Sequence, residues 1–508
     1  MSYRSQGSPR LEVPHKSAST PSTSRSLYRF ACIVGWGLTA TLFLVLLGGR
    51  GSIQIANVAG PLVVLVACLL AAFDLVRHDT DLCLTPLPWF MASSAAYYGF
   101  GALLHEYGSA DTIGVAQSFW QTSDSERSLV SLLNQVCLLS VAIGAGLLIN
   151  RRKQFRTSKS SVVEMATDLR EAKRARLVIG LSVIVGFSIK LLFTVPSHFG
   201  WTQGPPGVVR ALGSLSTMAI LLASFLWAKG LRSYRFLVYA STTMEVILGA
   251  VTLDKLDLLL PVAFAFVGYG LGRRSVRPML VGGAVVILAF AALQPTFGTA
   301  RNRLWHRDGE VAGPVETLEE LSRIVLEDRD LDTSLHASQQ WWLRLSTTNA
   351  QAFAMHLHDS GQLGYTYGRI GWFFVPRILF PEKPQMTDAG LYITEQATGH
   401  RLSSTGLTAF GEAYWNGGWI LAILSSLVLG MILASITRTN LRFLRERRWA
   451  ALPLAVMGIE LGIAHAGWFT TSYIGGTVIY YALVLPFLRI RKPPRGSRPR
   501  RGTTAPAQ

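Results

Sequence analysis

Charge is scarce in this sequence. Only 15% of its 508 residues are charged, against about 25% in an ordinary soluble protein, while half are hydrophobic. Cysteine is scarcer still. Cys32, Cys68, Cys83 and Cys137 fall in or beside apolar runs, with no CxxC and no Cys/His spacing among them. That excludes a disulfide scaffold and makes the four small apolar fillers. There is no HExxH, no glycine-rich loop that would cradle a phosphate, and no A-x-A-like cleavage site after the first apolar run, which should therefore persist as a membrane span. The charge that remains is lopsided: 48 Lys and Arg against 30 Asp and Glu, for a net +18. In a soluble chain that excess would suggest nucleic acid. Here no nucleic-acid partner is expected, because the basic residues fall where membrane topology needs them.

Long apolar runs are what the chain has in abundance. They recur near 30–48, 56–74, 87–104, 128–149, 177–195, 209–228, 236–253, 257–272, 279–295, 417–436, 450–466 and 471–488, twelve in all. At about 20 residues each they match a hydrocarbon core about 30 Å thick. Arg4, Arg10, Lys16, Arg25 and Arg29 place the N-terminus inside, so every second loop should be basic. The loops after the fourth, sixth, eighth and tenth runs, RRKQFRTSKSSVVEMATDLREAKRAR, KGLRSYR, GRRSVR and RTNLRFLRERR, obey, as does the tail RIRKPPRGSRPRR. The loop after the second run does not, since Asp74, Asp79 and Asp81 outnumber Arg77. The expected chain is an all-α polytopic membrane protein with about twelve transmembrane helices and one large extracytoplasmic loop. It divides into a disordered basic cytoplasmic tail over 1–28, nine transmembrane helices within 29–295, the outer loop over 296–416, three helices within 417–488, and a basic cytoplasmic tail over 489–508.

The outer loop is long enough to have structure and function of its own. In SLHASQQWWLRLSTTNAQAFAMHLHDSG, the three- and four-residue recurrence of Trp342, Leu345, Asn349, Phe353 and His356 predicts a helix, with Gly361 as its C-cap and the paired tryptophans at headgroup level. Beyond it Pro376, Pro381 and Pro384 forbid a regular helix, which leaves Arg377 and Lys383 on a constrained loop. Arg301, Arg303, Arg344, Arg369 and Arg401 add to the cations of this segment. Neither the outer leaflet nor the positive-inside rule calls for cations here; an anionic ligand does, since Arg forks grip phosphate oxygens and Lys supplies a compact charge. For Arg307 the reading is snorkelling to headgroups, and Arg301 and Arg303 fit snorkelling and ligand binding equally. Glu382, Asp388, Glu395, Glu412, His306, His356, His358 and His400 are candidates to take a proton from a hydroxyl. Glu412 leads them, because GEAYWNGGW puts it at the mouth of the tenth span. Glu460 and His465 stand out as ionisable groups inside the eleventh. Asp328, Asp330 and Asp332 could hold Mg²⁺ or Ca²⁺, but they end an acidic stretch that reads as a solvated helix face.

These segments are similar to a known family. WWLRLSTTNAQAF, then FFVPRILFPEKPQMTDAG with its P-R-x-x-x-P-x-K-P pattern, then STGLTAFGEAYWNGGW with its G-E-x-Y-x-N-x-G pattern, together resemble the O-antigen polymerases, the Wzy-type polymerases of oligosaccharide repeat units. The likeness covers about a fifth of the chain. It implies a GT-C-like membrane fold in a bacterial cytoplasmic membrane, no metal and no cofactor. It also implies a polyprenyl-diphosphate-linked oligosaccharide as substrate, with a polysaccharide chain-length regulator and the lipid bilayer as partners. By position it implies Glu412, Arg344 and Arg377 as catalytic residues, and Lys383, Arg369 and Arg401 as substrate-binding ones, to which the outer cations Arg301 and Arg303 are added as substrate-binding candidates. Trp372, Tyr392 and Tyr414 would stack on sugar faces. An O-antigen ligase would share fold and donor and differ in acceptor. A lipid-linked oligosaccharide flippase, which is no enzyme, would show internal symmetry and short loops.

Overall fold

A backbone in hydrocarbon has no water to bond, so an apolar run that crosses a bilayer must satisfy its amides within itself. The computed structural model describes residues 22–150, 169–202, 209, 212–273, 275–305, 313–326, 341–375, 380, 382–384, 388–400, 406–445, 452–465, 477 and 481. Every regular element among the described residues is helical, and a helix stands at each of the first eleven expected positions. In chain order these are α1 (Ser22–Leu47), α2 (Arg50–His78), α3 (Pro86–Ser94), α4 (Ala110–Trp120), α5 (Asp124–Asn150), α6 (Leu169–Ile189), α7 (Leu215–Ala228), α8 (Tyr234–Val251), α9 (Lys255–Arg273) and α10 (Arg277–Trp305). They continue as α11 (Pro314–Leu326), α12 (Thr348–Asp359), α13 (Asp388–Thr398), α14 (Thr408–Arg445) and α15 (Leu452–Ala464). Most of the twelfth run and both tails lie outside the described residues, although α1 starts inside the expected tail, at Ser22.

Six of these helices, α1, α2, α5, α6 with its continuation to His198, α10 and α14, are long and apolar enough to cross a membrane, which makes the chain a multi-pass membrane protein. The third run is a helix in pieces: α3 passes into a π turn over Ala95–Phe100, a 3-10 turn over Gly101–Leu103 and a last helical turn over Leu104–Tyr107. Single π turns inside helices recur at functional sites, because the extra residue re-aims the side chains beyond it.

The helices pack as small residues allow. α5 and α14 press together where a Cβ on Gly144 would lie 2.1 Å from the Leu427 carbonyl oxygen and one on Gly430 2.1 Å from that of Val141. Reciprocal glycines let two backbones approach where lipid supplies no hydrophobic drive between helices. Around this contact α1, α2, α3, α5 and α14 form the main core, including Val34, Cys68, Phe90, Leu133 and Leu433. A second core joins α6, α7, α9 and α15 through Ile179, Leu222, Phe264 and Ile459. In a third, the amphipathic α11 lays Leu321 and Ile324 against Phe297 and Ala300 of α10. Cys68, Cys83 and Cys137 are buried, Cys32 is half-buried and all four are free thiols.

Candidate functional site

The segment between α10 and α14 folds back on one end of the bundle. Trp341 and Trp342 do not stand free at a lipid surface: both stack on Phe100, at 5.8 and 5.0 Å, and the Trp342 indole donates to the Phe100 carbonyl at 2.9 Å. Where the sequence predicts one continuous helix, the chain leaves helix at Ser346 and Thr347 and restarts as α12. Its first turns carry Thr348, Asn349 and Gln351 inward, all buried. Gln351 and Asn134 of α5 exchange amide hydrogen bonds at 2.9 and 3.3 Å, and Gln351 also donates to the Thr408 hydroxyl at 3.0 Å. Asn349 donates to the Ala116 carbonyl and accepts from Thr122. Removing one member of such a chain strands its partner, at a cost of about 1–3 kcal/mol. Gly361 ends α12 as expected: at φ +87 it forms the bend in which Gly361 N and Gln362 N donate to the His358 and Leu357 carbonyls.

The tenth and eleventh residues of α14 break it. Gly417 is extended at φ −172, and Gly418 sits at φ +61, ψ −156, a combination open only to glycine. The folded-back segment bonds to this end of the first half-helix. Trp415 O accepts from Gly364 N at 2.8 Å and from His358 Nδ1 at 3.2 Å, so that nitrogen carries the proton. Glu412 O accepts from the Asn416 amide at 2.7 Å, and the same amide binds the Thr366 hydroxyl and accepts from Tyr367 N. A Cβ on Gly418 would lie 2.9 Å from His358 Nε2. Gly418→Ala is therefore expected to lower unfolding stability by about 1–3 kcal/mol from backbone strain, with the contact to His358 adding to it. Gly361→Ala, at a positive φ with nothing within 4 Å, should lose less. Thermal unfolding in mild detergent compares the two, and a Gly418→Ala protein that melts with the wild type would show that the break is not held. Near it Thr408 is buried at φ +64, a strained state for a β-branched residue, held in part by the Gln351 bond.

The named site residues separate into groups. Glu412 is fully buried on the first half of α14, one turn beyond Thr408. Arg369 lies over the Tyr365 ring at 4.3 Å, and Tyr365 packs edge-on against Trp415. Lys383 donates to the Val375 carbonyl at 3.1 Å, and its loop is tied to the 3-10 turn Tyr367–Phe374 by the Trp372–Phe380 ring contact. Arg369, Lys383 and Glu412 thus belong to one folded unit. Arg344 is exposed on the short turn that docks at Phe100. Arg303 belongs elsewhere: with Arg323 it binds Glu320 of α11, over the third core, and that bonding holds the Glu320 carboxyl below the usual carboxylate range. Arg377, Arg401, Asp328, Asp330 and Asp332 lie outside the described residues, as does the side chain of Arg301.

Of the aromatics expected to meet sugar, Tyr414 is buried, with its hydroxyl donating to Asp359 at 3.2 Å, and Tyr392 stacks on Trp415 at 5.9 Å. His465 is a satisfied core residue, stacked on Phe90, donating from Nδ1 to the Gly462 carbonyl and accepting from Ser94. Two features went unread in the sequence. Lys190 and Glu245, buried in separate apolar helices, form an ion pair at 2.6 Å, although a lone charge in an apolar run is itself a signal of intramembrane pairing. The other is a polar cleft at the end of the third run, lined by His105 and Arg127. Among the described residues no three His, Cys, Asp or Glu side chains lie close enough to share a metal ion.

No family model, no curated protein and no solved structure matches the chain.

Proposed function

We propose that this multi-pass membrane protein polymerises oligosaccharide repeat units carried on a polyprenyl diphosphate, at the outer face of a bacterial cytoplasmic membrane, in a GT-C-like arrangement of about twelve spans. The observation that carries the reading is the folded unit of residues 341–416. The described part of the segment between two apolar helices returns to the bundle end, with Arg369 over Tyr365, Tyr365 against Trp415 of the helix that bears Glu412, and Lys383 bonded to the Val375 carbonyl. The motif resemblance lies in this same stretch. In the proposed transfer, an acceptor sugar hydroxyl attacks the anomeric carbon of the donor glycan, and the bond to the lipid diphosphate breaks. Arg344, Arg369, Arg377 and Lys383 stabilise the departing diphosphate as fixed cations. Glu412 takes the hydroxyl proton. Arg401 and Arg301 complete the proposed contacts to the donor, whereas Arg303, held by Glu320 over the third core, takes no part in them.

The purified protein, given lipid-linked repeats with EDTA and without nucleotide, is expected to yield polymer on the lipid carrier. Arg377→Lys should lose activity almost as fully as Arg377→Ala, because the lost bidentate fork is not restored by a point charge. Strict need for a divalent cation would return attention to Asp328, Asp330 and Asp332. Transfer only to lipid A core would make the protein a ligase.

A further inference from the structure

The first described helix of the segment between α10 and α14 is α11, and its side chains divide into three faces. Thr317, Leu321 and Ile324 are buried against the bundle. At about 100° per residue along a helix, Glu316, Glu319, Glu320 and Arg323 gather within about 100° of arc on a second face. Val315, Leu318 and Leu326 fall within about 80° of one another on a third, with the small Ser322 between them. These three apolar side chains are 67%, 40% and 74% exposed.

Each face has its own surroundings. The buried one rests on Phe297, Ala300 and Leu304 in the last turns of α10, with Leu258 and Leu259 of α9 in the same core. The charged one meets water: Glu320 is bonded by Arg303 and Arg323, and Glu316 and Glu319 are exposed. The third has neither a protein cover nor a charge to hold water. Single exposed apolar side chains are ordinary on a protein surface. Three that share one face of a helix whose charged residues all lie elsewhere are a patterned apolar surface.

The setting of α10 shows what lies beside that surface. With α1, α10 is the least buried of the six membrane-crossing helices, 22% of its apolar stretch being covered. Val281, Val285, Ile287 and Leu288 are exposed along it, and exposed apolar groups on a helix that crosses a bilayer face its hydrocarbon. Lipid therefore runs up this side of the bundle towards the turns that α11 covers. The apolar stretch of α10 ends at Ala300, and α11 packs on Phe297, Ala300 and Leu304, so it sits where hydrocarbon gives way to headgroups. At that level an amphipathic helix lies flat, with its apolar face in the acyl boundary and its charged face in water.

We propose that α11 is an interfacial membrane anchor, in which Val315, Leu318 and Leu326 insert between the lipids of the leaflet at the C-terminal end of α10. The charges beside the stripe define the lipid chemistry. Glu316, Glu319 and Glu320 stand against Arg303 and Arg323, so this surface has no excess of positive charge with which to draw anionic headgroups. Acyl chains alone hold the contact. Anchored in this way, α11 fixes the start of the segment between α10 and α14 at the membrane surface. The proposal does not depend on what the folded unit of residues 341–416 does.

The test uses the full-length protein in nanodiscs of phosphatidylcholine, with the half-buried thiol removed by Cys32→Ser and the other three native thiols buried. A spin label is attached, one site at a time, to Val315→Cys, Leu318→Cys, Leu326→Cys, Glu316→Cys and Glu319→Cys, and its collisions with oxygen, which partitions into lipid, are compared with those with a water-soluble nickel chelate. Labels at 315, 318 and 326 are expected to favour oxygen several-fold, and labels at 316 and 319 to favour the chelate. Ser322→Cys, which lies on the same face and removes no apolar group, should read as the first three do. All six positions are exposed, so each labelled protein should melt with the wild type. Phosphatidylglycerol added to the nanodiscs should leave the contrast unchanged. The proposal is overturned if the labels at 315, 318, 322 and 326 favour the chelate, if neither reagent reaches them, as under a second copy of the chain, or if the contrast appears only with phosphatidylglycerol.

Discussion

Glu245→Leu is expected to destabilise the folded protein by about 3–5 kcal/mol, the usual effect of removing one partner from a buried ion pair. The substitution leaves Lys190, in the π turn at the end of α6, without the one carboxylate bonded to it among the described residues. The pair as a whole contributes far less than that loss suggests, because two charges were withdrawn from water to form it. Lys190→Met together with Glu245→Leu should therefore recover most of the stability, and the double variant should melt close to the wild type. Unfolding followed in mild detergent for the two single variants and the double variant closes the cycle. A Glu245→Leu protein as stable as the wild type would mean that Lys190 finds another partner. Glu460, within electrostatic reach of Lys190, is the group to examine then.

Glu412→Gln is expected to reduce polymer formation by about 10²–10⁴-fold, the contribution of a positioned acid–base group. The amide keeps the volume and the hydrogen-bonding reach of the carboxylate, so membrane insertion and melting temperature should stay near those of the wild type. The residue has no exposed surface in this structure. On the polymerase reading, a sugar hydroxyl reaches it only when substrate parts the folded unit from the helix mouth. Polymerisation by Glu412→Gln at the wild-type rate would take the carboxylate out of the proton path and leave the buried side chain a structural role. Comparison with Gly418→Ala distinguishes chemistry from scaffolding, since that variant should lose stability and activity together.

Helix placement along the chain was legible because it depends on a local quantity. An apolar run of bilayer length has no alternative to internal hydrogen bonding, so α1, α2, α5, α6, α10 and α14 could be located from hydropathy alone. Gly361 was legible for a similar reason, since only glycine takes its positive φ without strain. The sequence also marked Glu412, as a carboxylate at the mouth of an apolar run, but not the glycine break beyond it. It could not show that His358 and Gly364 close on the Trp415 carbonyl at the break, because those partners come from a segment whose own fold is set by packing.

Pairing across the bundle was decided by tertiary structure. Lys190 meets Glu245, Gln351 meets Asn134, and Arg303 meets Glu320 and leaves the cationic group to which composition had assigned it. The cleft of Asn57, His105 and Arg127 has no sequence signature at all, since each residue is unremarkable among its neighbours in the chain. Hydropathy is read along a single helix, whereas the partner of a polar side chain depends on which helices touch and with what rotation. That is set where glycines such as Gly144 and Gly430 let two backbones close. The sequence by itself therefore determined which segments enter the membrane, through the cost of an unbonded backbone in hydrocarbon. Only the packing of those segments decided which polar groups became bonded pairs and which were left buried without a partner.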